Sequence, residues 1–596
     1  MTRTTDLDTR TDLTSFADVV RQLAADRPDY PFATFCTFDG SDAATSASAL
    51  DSAASAQREE LTYTQLLRRA AGVAELLRAQ GLDGPVAIMC PQGAEFLIGL
   101  VGCLLAGRIA IPLHPHEPGR PDSRIVSAIN DADSRIVLTT TEHLETTDQV
   151  LAGRPGTVVH AVDTLPEGDP DAVDTPRPAP GDVAYLQYTS GSTRTPAGVR
   201  VTQGNLMIAT AQLNEAIQMG PDSRFVAWLP FFHDMGVMFA LTSLRLGARA
   251  TYLSPRQFVE RPGRWLGLLS TERATHGVTP NFGLEMCVTR VRPQDRAGLD
   301  LSALSVLVNG SEPIRRGTLI TFANEYAQHG FRGIASKPGY GLAEATLTVS
   351  CTTLDQQLVA HTFDRDGLRE GRVVRVDDGT PGGVELVGCG PVANQDARIV
   401  DPQERTEVPS GRVGEIWVSG GNVCDGYWNR PEVSAEMFDA ELTDRAGERS
   451  RGWLRTEDLG FFHEDQLYIV ARLKDLVIID GQNHYPADVE ATLKDAVTAA
   501  TRTAAFSVDT GERERLVVAL ELPVQEVSAE ELRTLRRTVR RAVAESHGLN
   551  VHDVAFVRRG GLPRTTSGKV QRHACQQLYQ DGQLPLLDTP TSGSTQ

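Results

Sequence analysis

The sequence predicts an α/β protein: a large multi-sheet N-terminal domain followed by a small α/β C-terminal domain. Three observations carry this. At 596 residues the chain is too long for one hydrophobic core. Residues 61–273 alternate between helical and strand periods, the pattern of a parallel or mixed sheet covered by helices. Near Lys474 the pattern changes scale, and a shorter strand–helix–strand series begins.

Taken in order, "LTYTQLLRRAAGVAELLRAQG" (61–81) has the 3.6-residue period, with Gly81 as its stop. "PVAIMC" (85–90) reads as a short buried strand, and "SRIVLTT" (134–140) and "TVVHAV" (157–162) repeat that signal. The apolar run 96–107 stops at Arg108, short of the roughly 18 residues of a membrane span, and so predicts a buried helix. Residues 163–182 are dense in Pro, Asp and Gly and form a surface connection into "LQYTSGSTRTPAGV" (186–199). "QLYIVARLKDLVIIDG" (466–481) gives two strands around the charged break 472–475. "RLVVALEL" (515–522) is the next strand. The helix after it opens on Ser528 and Glu531, a capping box, carries Leu532, Leu535, Val539 and Val543 as its apolar stripe, and stops at Gly548. "DVAFVRR" (553–559) closes the series. The expected boundaries are 1–473 for the large domain and 474–585 for the small one, with a disordered tail over 586–596; no internal repeat is present.

Composition narrows the function. With 41% hydrophobic and 23% charged residues, this is the make-up of an ordinary soluble protein. A formal charge of −19 argues against non-specific nucleic-acid binding. The eight cysteines are scattered without a C-x-x-C pair, as suits reduced thiols in a cytoplasm. Asp6, Asp8 and Asp12 speak against a transit peptide, and the start is read as frayed.

The Ser/Thr/Gly-rich stretch 189–198 has the inventory of an oxyanion cradle. Thr189, Ser190, Ser192 and Thr193 offer hydroxyls, Gly191 and Gly198 let backbone N–H groups come close, and Arg194 brings fixed charge. It is not a Walker A loop, since the glycine spacing is wrong and no Lys follows. No G-x-G-x-x-G, G-x-S-x-G or H-E-x-x-H occurs anywhere in the chain. A polyphosphate site and a plain Ser/Gly-rich turn both fit this segment alone. His114 and His116 form an H-x-H pair without an evident third ligand, so no metal site is expected there.

Further segments add to the cradle. "NGSEP" spans 309–313; "YGLAEAT" (340–346) sets Glu344 after a Gly-containing bend; "WLRTEDLG" (453–460) carries Asp458; "ARLKDLVIIDG" (471–481) carries Arg472 and Lys474; "PRTTSGKVQR" (563–572) places Lys569 in a Gly/Ser/Thr turn. In this order, over residues 61–572, the chain resembles the adenylate-forming superfamily of acyl-CoA synthetases, non-ribosomal adenylation domains and luciferases. "WLPFFHDMG" and "LKDLVIIDGQNHYPADVE" are similar to its fatty acyl-AMP ligases in particular.

That resemblance implies a large adenylate-forming domain with a mobile C-terminal lid, using ATP and Mg²⁺ to convert a fatty acid to acyl-AMP. By correspondence, Lys569 is the catalytic cation reaching carboxylate and α-phosphate. Glu344 is a catalytic Mg²⁺ ligand, with Thr189 as a second metal contact. Residues Ser190, Gly191, Ser192, Thr193 and Arg194 lie along the outer phosphates, with Arg194 and Ala197 where the superfamily has Gly and Lys. Asn309, Gly310, Ser311 and Glu312 lie along adenine, Tyr340 stacks on the base, and Gly341, Leu342 and Ala343 also bind the cofactor. Asp458 and Arg472 hold the ribose, although "TED" and "AR" replace the usual "TGD" and "GR". Lys474 is the hinge.

Trp228, Phe231, Phe232 and Met235 form the mouth of the acyl pocket in this reading, with His233 near the reacting groups; a core histidine satisfied by Asp234 is the alternative. Residues 352–386 match an insertion that hinders thioester formation with CoA, or else a mobile surface loop; "RVVRV" and "DDGTPGG" predict an ordered hairpin within it. The acceptor is then a phosphopantetheine thiol on an acyl carrier protein or on a carrier domain of a polyketide or peptide synthase. Arg533, Arg536, Arg537, Arg540 and Arg541 are either its docking face or an ordinary solvated helix face. Competing functions are a long-chain acyl-CoA ligase, an amino-acid or aryl-acid adenylating enzyme, and a catalytically silent nucleotide-binding protein.

Overall fold

The computed structural model describes residues 15–38, 48–116, 123–173, 177–188, 197–479, 482–509, 514–523, 527–565 and 569–587. The chain is mixed α/β with several sheets. One sheet has six strands, ordered Val158–Ala161, Ile136–Thr139, Val86–Ile88, Ala110–Pro112, Val183–Tyr188 and Gly198–Thr202. All neighbours in it are parallel except the last pair, a hairpin. Its central strands are buried on every residue, as expected where helices cover both faces. The expected helix 61–81 runs Tyr63–Ala79 under a Thr62/Gln65 capping box, and Gly81 takes φ +60 at its end. The apolar run 96–107 is the buried helix Ala94–Leu105.

A second sheet has eight strands, ordered Leu347–Cys351, Ser336–Leu342, Val306–Asn309, His276–Thr279, Arg224–Ala227, Arg249–Leu253, Pro31–Thr37 and Gln57–Thr62. Only its two edge pairings are antiparallel. A five-stranded antiparallel sheet follows, built around Gly414–Ser419, Arg449–His463 and Gln466–Arg472.

From Val477 on, the residues build cores of their own. Glu514–Glu521 pairs antiparallel with Arg502–Asp509 and parallel with Val551–Val557. The crossover is the helix Ala529–His547, with the Ser528/Glu531 capping box and Gly548 at φ +64, as the sequence predicts. This unit meets the rest of the chain across several contacts. Lys494 pairs with Glu285 at 2.9 Å. Arg365 grips Asp488 at 2.8 and 3.1 Å and donates to the Ser546 carbonyl at 2.8 Å, while Arg369 donates to the His547 carbonyl at 2.8 Å.

Two expectations are corrected. Within the insertion, residues 372–387 do not fold on themselves. Arg375–Val376 and Gly383–Val387 pair with opposite edges of a third strand, Ala360–Asp364. That strand wins the central position because Phe363, fully buried, packs on Phe461 and Tyr468 and fixes it to the body. The tail starts later than expected. The Leu587 amide donates to the Phe556 carbonyl at 2.9 Å and its side chain is buried, which ties residues 586–587 to the sheet; 588–596 lie outside the described residues.

Candidate functional site

The C-terminal ends of the parallel strands of the eight-stranded sheet lie on one side of it, where α/β sheets bind ligands, and the loops that leave them line the candidate cleft. Arg224–Ala227 leads into Trp228–Asp234; Val306–Asn309 leads into Gly310–Glu312; Ser336–Leu342 leads into Glu344. Close packing shapes these bends. A Cβ on Gly236 would lie 2.0 Å from the Pro230 carbonyl oxygen, so only glycine lets the helix Asp234–Arg245 start that close. At Gly341 a Cβ would meet the Leu347 oxygen at 1.6 Å, which forces the turn presenting Glu344.

Lys569 comes from the other side. The turn 563–571 is closed by the Thr565 amide donating to the Lys569 carbonyl at 2.8 Å and the Gln571 amide to the Pro563 carbonyl at 2.9 Å. Its buried ammonium feels the charges of Asp234, Glu312, Arg472 and Asp458. Burial lowers its pKa below the ordinary lysine value, against the pull of Asp234 and Glu312. His233 Nδ1 lies 2.5 Å from Asp234 Oδ1. Burial works to raise the Asp234 carboxyl, but the His233 ring, with Lys569 beyond it, holds it at about 2. His233 is thus paired with Asp234, as the second reading of this residue expects, and keeps part of its ring exposed.

Asp458 is nearly buried, accepts from Tyr340 at 2.7 Å and from Arg472 Nε at 3.2 Å, and its amide donates to Thr456 at 3.1 Å. This rigid acceptor can hold a diol. Asn309 is fully buried; its Nδ2 donates to the Thr279 carbonyl at 3.3 Å, and its Oδ1 has no hydrogen-bond partner among the described residues. An orphaned acceptor beside Gly310 suits the exocyclic amine of a purine. Glu312 accepts from the Phe282 amide at 2.5 Å, and burial raises its pKa.

Glu344 accepts from the Tyr427 hydroxyl at 2.9 Å, and burial raises its carboxyl above the ordinary range. A single half-buried carboxylate with no ion pair among the described residues fits a Mg²⁺ ion that takes its remaining oxygens from phosphate and water. Tyr427 gave no signal in the sequence, since it meets Glu344 across 83 positions. Asp234 was legible only as a partner for His233.

The aromatic group divides. Trp228 stacks on Phe258 at 3.9 Å and takes Phe282 edge-on at 5.7 Å. Phe232 stays partly exposed beside His114, 5.6 Å away, and Met235 faces Gly310, 3.7 Å from where a Cβ would stand. Phe231 departs from expectation: Phe35, Phe96 and Tyr252 surround it at 6.4, 5.4 and 5.0 Å, so it belongs to the core. Lys474 pairs with Glu457 at 2.8 Å. Thr189, Ser190, Gly191, Ser192, Thr193 and Arg194 lie outside the described residues. All five arginines of the helix Ala529–His547 are exposed. No helix among the described residues is long and apolar enough to cross a membrane.

Comparison with known proteins agrees with this geometry. The family described as AMP-binding enzyme matches residues 41–428, and the one described as Disco-interacting protein 2-like, AMP domain matches residues 474–589. The chain is 40% identical over 545 residues to a 4-hydroxyphenylalkanoate adenylyltransferase of Mycobacterium marinum, covering 89% of this chain and 87% of that protein. It is 38% identical over 592 residues to the long-chain-fatty-acid–AMP ligase FadD26 of Mycobacterium marinum, covering 96% and 98%. Among solved structures it is similar to a fatty acyl-adenylate ligase from L. pneumophila in complex with acyl adenylate and pyrophosphate, with 31% identity, a TM-score of 0.73, and 97% and 98% of the two chains covered. With a family match over most of its length and relatives alike from end to end, the chain belongs to the AMP-binding enzymes of the adenylate-forming superfamily, among the fatty acyl-AMP ligases.

Proposed function

We propose that this protein activates a long-chain fatty acid with ATP to give fatty acyl-AMP and pyrophosphate, then passes the acyl group to the phosphopantetheine thiol of a carrier protein. The observation that carries the reading is the convergence of Lys569, from the C-terminal unit, on the cleft that holds Asp234, Glu312 and the Tyr340–Asp458–Arg472 set.

In the first step a carboxylate oxygen attacks the α-phosphorus and the bond to the bridging β-oxygen breaks, so pyrophosphate leaves with that electron pair. Two anions must meet, and positioning together with fixed positive charge lowers the barrier. Lys569 would bridge the two. Asp458, held by Tyr340 and Arg472, fixes the ribose, and Asn309 orients the base. Asp234 keeps the His233 ring turned within the cleft. Glu344 would hold Mg²⁺, whose charge offsets that of the phosphates. In the second step the thiol sulfur attacks the acyl carbon, AMP departs with the former carboxylate oxygen, and the thiol proton passes to solvent.

The test gives purified protein ATP, Mg²⁺ and acids from short to very long, scored for acyl-AMP by mass spectrometry and then for acyl transfer to a carrier protein or CoA. Absence of acyl-AMP with every acid overturns the reading, and faster transfer to CoA than to carrier replaces it with an acyl-CoA ligase. A second reading, an arylalkanoic acid as substrate, is favoured by the 40% identity to a 4-hydroxyphenylalkanoate adenylyltransferase and by the Trp228–Phe258–Phe282 aromatic group. Including 4-hydroxyphenylalkanoates among the acids decides between them.

A further inference from the structure

We propose that His361, His463 and Glu464 form a binding site for one divalent transition ion, with Zn²⁺ the best match, at the seam between the inserted sheet and the body. His361 lies on the central inserted strand, Ala360–Asp364. His463 and Glu464 lie at the tip of the hairpin joining Arg449–His463 to Gln466–Arg472. One ligand atom from each residue lies within 4.8 Å of the other two. His361 Nε2 is 3.2 Å from Glu464 Oε2, and His463 Nε2 is 3.6 Å from Glu464 Oε1. Tetrahedral Zn²⁺ with bonds near 2.0–2.1 Å sets its ligand atoms about 3.3 Å apart; each imidazole stands near that distance from one oxygen of Glu464, and the three ligand atoms, all within 4.8 Å, need only a small closure to meet one ion.

Two features favour an ion over a simple polar cluster. His463 Nε2 is buried and makes no hydrogen bond among the described residues, its nearest carboxylate oxygen lying beyond hydrogen-bond range. The rings are also fixed from beneath. His463 packs edge-on to Phe363 at 5.5 Å, His361 lies 6.3 Å from Tyr468, and the two imidazole planes are perpendicular. Such a floor supplies the rigidity that metal affinity requires.

Two imidazole nitrogens and one carboxylate match Zn²⁺, Ni²⁺ or Co²⁺ and are a poor set for Mg²⁺, which takes oxygen ligands. This ion is therefore distinct from the one Glu344 would hold. The side chain of Glu464 is 57% exposed, leaving room for water as the fourth ligand. Arg375 competes for the same carboxylate, its Nη1 lying 3.0 Å from Oε1. An ion here would add coordination bonds between the insertion and the body to the buried packing of Phe363 on Phe461 and Tyr468.

The full-length protein, stripped with a chelator and dialysed, is titrated with Co²⁺ and then displaced with Zn²⁺. The expected result is one Co²⁺ per chain, with visible absorption of a low-coordinate site bleached by Zn²⁺. Affinity should fall at least about tenfold in His361→Ala and His463→Ala. Arg375→Ala should bind more tightly, because the competing charge is gone; a plain His–Glu–Arg network predicts no such gain. Adenylate formation, whose cleft contains none of these residues, reports that each variant is folded, and Glu464→Gln serves if a histidine variant is not. No ion taken up by the parent protein, or equal affinity in parent and variants, overturns the proposal.

Discussion

Glu457 occupies the position of a glycine in the "TGD" pattern, and its backbone shows the consequence. It sits at φ +58 where the strand Arg449–His463 bulges against Gly414–Ser419. A non-glycine residue there costs about 1–2 kcal/mol. Its amide donates to Glu415 Oε1 at 3.1 Å, and its carboxylate pairs with Lys474 at 2.8 Å. With side chains 47% and 30% exposed, that pair contributes only about 0.2–1 kcal/mol. It forms only when Lys474 stands as it does here, so it favours this orientation of the C-terminal unit by up to about fivefold.

Two substitutions separate strain from pairing. Glu457→Gln keeps the strain and removes the charge. Glu457→Gly removes both. ATP–pyrophosphate exchange should fall by up to about fivefold in each at low ionic strength, and the difference from the parent should close in high salt as the pair is screened. Unfolding free energies from denaturant curves should differ, with Glu457→Gly above Glu457→Gln by about 1 kcal/mol. Exchange rates equal to the parent's at low salt, or a loss insensitive to salt, would refute the reasoning.

Three more expectations stand beside it. Lys569→Ala should cut adenylation by about 10²–10³ with little change in fold stability, as measured by pyrophosphate release; because burial lowers the pKa of Lys569, the parent's activity should decline on the alkaline side earlier than a solvated lysine would cause. Burial holds His276 and His547 down at about 4. Between the ordinary imidazole value near 6.5 and pH 4 the unfolded chain binds protons that the folded one does not, so stability falls as pH drops. Each histidine then costs about 2 kcal/mol at pH 5 relative to pH 8. Urea curves for His276→Gln should lose that much less over the same range, and curves parallel to the parent's would contradict this. Reversing Arg533 and Arg537, both exposed on the helix Ala529–His547, should slow acyl transfer to an acidic carrier protein while adenylation continues; transfer at the parent rate would leave that helix face as ordinary solvated surface.

What could be read from the sequence was local. The capping box at Ser528, the helix stop at Gly81 and the apolar runs of the parallel strands are set by neighbours within a few residues, and they appear where expected. The candidate site was legible through the family resemblance, because Asn309, Tyr340, Glu344, Asp458 and Lys569 each stand in a short segment that carries it. Contacts made across long separations were not. Tyr427 finds Glu344, and Lys494 finds Glu285 across 209 positions, without any pattern in either segment. The pairing inside the insertion was misread because period-2 alternation marks a strand but not its neighbour, and Phe363 decides the neighbour through aromatic contacts that only the folded chain creates. Phe231 looked like a pocket wall from its company in "WLPFFHDMG", yet three rings from distant segments enclose it.

The guanidinium groups of Arg365 and Arg369 do more than touch the C-terminal unit. They take up the carbonyls of Ser546 and His547, at the negative end of its longest helix, where no further turn exists to accept those lone pairs. Swinging that helix away would exchange charged donors for water, at about 1–3 kcal/mol for each bond that is shielded from solvent. Any departure of the unit from its seat would thus meet a toll levied by its own helix terminus, and a binder that engaged the departed form would have to offer at least that much in return.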